Sequence, residues 1–165
     1  MKQGESGASK GDGRRELGKE YERRFAKGFI ARNKRDRFIR IASHGVRSRT
    51  PSPARLKRVT KYRQMLSNLR HWFDDRVELI SLSKSEFATE ELLERLARLK
   101  APRECYSMSL SRTLDGQWFP LAQAVEGLSQ GDNQSTLLIC RPESLAFFWH
   151  GEVQSASAIL RVTAI

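Results

Sequence analysis

Long apolar runs are missing from this chain. No stretch approaches the roughly 18 to 20 uninterrupted hydrophobic residues of a membrane-spanning helix. The opening residues, MKQGESGASK, are polar and Gly-rich where a secretory leader has an apolar core. The expectation is a cytoplasmic protein without a membrane role. Cysteine is scarce as well: Cys105 and Cys140 both lie in apolar runs that read as strands, and neither has a His or Cys neighbour at zinc-ligand spacing. A disulfide-knit secreted scaffold and a zinc finger are thereby excluded, and two buried thiols remain. Spacing alone leaves open whether the two strands meet. Also absent are a Gly-rich phosphate loop, of Walker or dinucleotide type, and a Gly-x-Ser-x-Gly elbow. No cofactor, metal or catalytic residue is expected.

What is present is positive charge, unevenly placed. The 165 residues carry 30 Lys plus Arg against 19 Asp plus Glu, a net of +11. Residues 1–76 hold 22 basic and 8 acidic side chains, a net of +14, whereas residues 77–165 hold 8 and 11, a net of −3. The excess therefore belongs to the first half, the signature of a polyanion-binding segment joined to a near-neutral body.

The patterning divides the chain the same way. Residues 1–13 combine Gly, Ser and charge with no apolar residue after Met1, which predicts a disordered tail. Leu17, Tyr21, Phe25 and Phe29 then recur every four residues along one helical stripe. Gly28 and Asn33 weaken the pattern and Phe38, Ile39 and Ile41 resume it, so one rod to Ala42 and two successive helices fit equally. The stretch GVRSRTPSP reads as an extended linker, with Thr50-Pro51 and Ser52-Pro53 as possible phosphorylation sites in a eukaryotic cell. Ser52 and Pro53 form a helix start, and Val59, Tyr62, Leu66, Leu69 and Phe73 mark the packed face of the helix that follows.

From residue 77 the expectation is a small α+β domain of about five strands in a mixed sheet, two helices and a C-terminal antiparallel meander. Residues 77–82 read as a strand, Thr89 caps a helix with core face Leu92, Leu93, Leu96 and Leu99, and a second strand follows in which Tyr106, Met108 and Leu110 alternate with Ser107, Ser109 and Ser111. Strand, helix, strand predicts a right-handed crossover, with the serines on the wet face. Asp115-Gly116 reads as a turn, Pro120 as the opening of a helix through Leu128, and residues 136–140, 145–149 and 158–162 as the meander.

The candidate site is the basic cluster of the helical arm, residues 14–76: Arg32, Lys34, Arg35, Arg37 and Arg40 in one nine-residue span, Arg47 and Arg49 in the linker, then Arg55, Lys57, Arg58, Lys61 and Arg63. Cations at this density neutralise several phosphates together, and arginine adds bidentate contacts. The periodic aromatics read as core rather than as base-stacking platforms, and the long linker does not match a helix-turn-helix. The expected function is a non-enzymatic nucleic-acid- or ribonucleoprotein-binding accessory protein, for DNA or RNA, whose body mediates self-association or a protein contact. Two alternatives stand beside it. One is a small nuclease-like enzyme with a cleft between Asp115, His150 and Glu152; the other is a regulator whose arm binds an acidic protein.

Overall fold

The computed structural model describes residues 3–43, 45, 52–82, 89–130, 134–151 and 157–163. The chain is α+β, with a helical N-terminal region followed by a sheet. Helices α1 (Gln3–Phe29), α2 (Arg35–Ala42) and α3 (Pro53–Ser67) come first, then β1 (Val77–Ser81), α4 (Thr89–Arg98), β2 (Glu104–Ser109), β3 (Gln117–Pro120), α5 (Leu121–Gln130), β4 (Thr136–Arg141), β5 (Leu145–Trp149) and β6 (Ala158–Val162).

The strands form one six-stranded sheet in the order β1-β6-β5-β4-β2-β3. Every neighbouring pair is antiparallel. The expected meander is β4-β5-β6. The expected mixed sheet is not found, because the crossover through α4 spans the sheet: β1 and β2 point the same way but three strands lie between them. The sixth strand is β3, where the Asp115-Gly116 turn folds the chain back as a hairpin, with Gly116 in the left-handed region at φ 69°. Pro120 thus ends an edge strand, where its missing N–H is tolerated, and the helix starts one residue later.

Helices cover both faces of the sheet. On one, α1 to α3 contribute Phe25, Phe29, Phe38, Tyr62 and Leu66, and the turn after α3 adds Trp72, to a core shared with Tyr106, Met108, Leu137, Ile139, Phe148 and Leu160. On the other, α4 and α5 bring Leu92, Leu96, Val125 and Leu128 against Cys105, Leu138, Phe147 and Ile159. A fully buried side chain of this size is worth about 1.5 to 3 kcal/mol. The basic helical segment is therefore one layer of the fold, sharing its core with the sheet. Phe25 and Phe29, as their four-residue spacing implies, and Phe38 on α2 are fully buried.

Coverage on both sides overturns the wet-face expectation for the serines. Ser107 and Ser109 are buried because their face of β2, shared with Cys105, lies on the α4 and α5 side, and Ser111, two residues past the strand, is buried as well. Ser109 Oγ is 2.7 Å from Thr136 Oγ1 and accepts from the Ser111 N–H, whereas Ser107 Oγ has no hydrogen-bond partner among the described residues.

Local chemistry sets the helix ends. Ser52 Oγ accepts from the Arg55 N–H at 3.2 Å and Pro53 takes the first helical position of α3. The α-helix ends at Ser67, and a 3₁₀ turn, Leu69–Trp72, carries the apolar pattern onward. α1 and α2 are separate helices, joined by the 3₁₀ turn Arg32–Lys34. Phe29 O accepts from Asp74 N–H and Trp72 O from Ala31 N–H, which ties the end of α1 to the approach to β1. The backbone of residues 3–13, expected as a disordered tail, is helical and continuous with α1. Extending a docked helix needs no new nucleus.

Candidate functional site

Twelve cations were singled out in the sequence, and the fold sorts them by helix packing. α2 turns Phe38 and Ala42 inward, and α3 does so with Tyr62, Met65 and Leu66. Between the two helices and the 3₁₀ turn runs a groove of about 720 Å³, lined by Arg37, Arg40, Ile41, Arg58, Lys61, Gln64, Met65, Asn68 and Trp72. Arg37 and Arg40, like Arg58 and Lys61, are three residues apart and so project from one side of their helix. No carboxylate among the described residues lines the groove. Among the described residues none of its four cations pairs with an acid. The Arg37 guanidinium carbon sits 4.5 Å from the centroid of the Trp72 ring, a cation–π contact.

The other candidates lie elsewhere. Lys34 Nζ donates to His71 O at 2.6 Å. Arg35 Nε donates to Ile30 O at 3.0 Å, and its Nη2 lies 4.0 Å from Asp74 Oδ2. Lys34 thus ties the turn after α1 to the turn after α3, and Arg35 links the residue that follows α1 to Asp74. Asp74 accepts from the Arg76 backbone N–H and guanidinium, which, with Arg35, hold its carboxyl below the usual range. Arg32, Lys57 and Arg63 are exposed, and Arg55 is half-buried on the first turn of α3. Arg47 and Arg49 lie outside the described residues. The sequence reading missed Gln64, Asn68 and Trp72, whose i, i+4, i+8 spacing alongside Arg58 and Lys61 was the available signal.

The residues weighed for catalysis take structural positions. Asp115 is fully buried; its Oδ1 accepts from Tyr62 Oη at 2.5 Å and from the Ser109 N–H at 2.9 Å, joining α3 to the β2-β3 hairpin. His150 is half-buried at the end of β5, with its Nε2 3.3 Å from Ser67 O and its ring edge-on to Phe148. Glu152 and His44 lie outside the described residues. His71 is exposed on the 3₁₀ turn. Cys105 and Cys140 are free and buried, each one residue along from Tyr106 and Ile139, which face one another in the register of β2 and β4. Burial pushes the Cys105 thiol up to about 12, and burial with the neighbouring Cys105 raises Cys140 further. Such thiols are inert.

Among the described residues no group of three or more His, Cys, Asp or Glu is placed to hold a metal ion, and no helix is long and apolar enough to cross a membrane. No protein-family model, curated protein or solved structure matches this chain.

Proposed function

We propose that this chain is a non-enzymatic nucleic-acid-binding accessory protein whose contact surface is the groove between α2 and α3. The observation that carries the reading is the convergence of Arg37, Arg40, Arg58 and Lys61 on one concavity without an acid in its lining. Gathering like charges costs free energy in the isolated protein, and an anion bound there returns it, most effectively a polyanion that releases counterions from several phosphates. The exposed Lys57 and Arg63 on α3 extend the same positive field. Free, buried Cys105 and Cys140 suit work in the reducing cytoplasm.

A salt titration tests the reading. Binding of a labelled oligonucleotide should weaken with a log-log slope of about −4, near −0.9 per phosphate on a duplex. A slope near zero, or equal affinity for an acidic protein of matched charge, overturns it.

A further inference from the structure

We propose that the groove accepts an unpaired nucleotide of a single-stranded polynucleotide, the base lying on the Arg37 guanidinium and the flanking phosphates on Arg40, Arg58 and Lys61. This deepens the reading above and rests on it.

The lining carries the inference. A phosphate needs only the cations, yet the floor is Met65, Ile41 and Trp72, and at about 720 Å³ the concavity falls in the size range of small-molecule sites. A duplex presents a convex rod with its phosphates outermost and its bases stacked on one another, so this floor gives it nothing. An extruded base has an apolar face to bury. The Arg37 guanidinium is already held over the Trp72 ring at 4.5 Å, which orients a planar cation in advance; Arg planes are a common platform for unstacked bases. Base edges need hydrogen-bonding groups, and two amides are at hand. The exposed side-chain amide of Gln64 has no partner among the described residues, and Asn68 donates through Nδ2 to Gln64 O at 3.0 Å, leaving its own carbonyl oxygen as an acceptor. Cation, plane, apolar floor and amides together match a nucleotide better than they match a bare phosphate run.

The experiment compares full-length protein binding to labelled oligomers of about 12 nucleotides: single-stranded RNA, single-stranded DNA of the same sequence, its duplex, and an abasic strand. Both single strands are expected to bind at least about tenfold tighter than duplex, with the abasic strand falling to the duplex level. Arg37→Lys keeps the charge and removes the plane. It should abolish the single-strand preference, lowering single-strand affinity by at least about fivefold more than it lowers duplex affinity. Thermal melting of that variant shows whether it is folded, and Gln64→Ala, exposed on α3, provides a second variant expected to lower single-strand affinity alone. Equal binding of all four probes with a steep salt slope overturns this inference and leaves the basic-groove reading standing. No salt-dependent binding to any probe overturns both.

Discussion

The arginines of α1 and those of α2 and α3 come from the same basic half of the chain and have different fates. Along α1, Arg14 reaches Glu104 at 2.7 Å and Arg24 reaches Glu143 at 3.1 Å, both on the sheet side of the molecule, while Arg23 pairs with Glu20 one turn away at 2.9 Å. Arg14 also lies over Trp118, whose indole N–H donates to Arg14 O. These charges are spent inside the fold. Around the groove, Arg37, Arg40, Arg58 and Lys61 line a surface that holds no acid among the described residues. A net charge of one sign thus has a share paired with carboxylates of the fold and a share left unpaired with acids among the described residues.

The sharpest way to break this comparison is to neutralise each set. Replacing Arg37, Arg40, Arg58 and Lys61 together by Gln should weaken oligonucleotide binding about 100-fold and flatten the log-log salt slope by about 3 to 4. Replacing Arg14, Arg23 and Arg24 by Gln should change affinity by less than about threefold and register instead as a small loss of stability, since exposed pairs are worth about 0 to 1 kcal/mol each. Equal effects on binding from the two sets of helix charge would erase the distinction.

A second contrast sets α1 against α5 through their glycines. A Cβ at Gly28 would lie 2.6 Å from Glu143 O and 2.9 Å from its Cα, so α1 meets the β4-β5 turn at backbone distance. Gly28→Ala should cost about 1 to 3 kcal/mol in denaturant unfolding. A Cβ at Gly127 meets nothing within 4 Å, and Gly127→Ala should stabilise by about 0.5 to 1 kcal/mol through helix propensity. A neutral Gly28→Ala would mean that α1 does not sit as closely as the structure places it.

Within α3, the buried face can be separated from the groove face. Tyr62→Phe removes the hydroxyl that donates to buried Asp115 and should lower stability by about 1 to 2 kcal/mol with oligonucleotide affinity unchanged. A drop in affinity comparable to the charge variants would show that the two faces are coupled. The smallest effect concerns the thiols. A thiol whose folded value is raised, as Cys105 is to about 12 from 9.0, favours the folded state fully below the unfolded value. That contribution declines as pH rises above about 9 toward the folded value. Melting temperature should therefore fall through this alkaline window less steeply in a Cys105→Ala, Cys140→Ala variant, and thiol reagent should label the parent only on unfolding.

Much of this architecture could be read from pattern. The four-residue recurrence from Tyr21 to Phe29, the Ser52-Pro53 start, the Leu92 and Leu96 face and the meander all rest on periodicity or capping, which are local. What escaped was non-local. Alternation of Ser107, Ser109 and Ser111 with apolar residues describes a strand with one polar face, but whether water or a helix meets that face depends on where α4 and α5 land. β3 was hidden because four residues ending in proline give a weak strand signal, and it exists by pairing with β2. For the candidate site, charge density pointed to the segment that holds α2 and α3, yet Arg35 and Lys34 were indistinguishable there from Arg37 and Arg40.

By itself the sequence determined the α+β class, the helix starts and the concentration of positive charge in the first half, because each depends on neighbours within a few residues or on composition. Only the tertiary structure decided which cations are consumed and which face outward, since that choice is made by carboxylates and carbonyls brought from distant parts of the chain, as Glu104 and Glu143 are to α1.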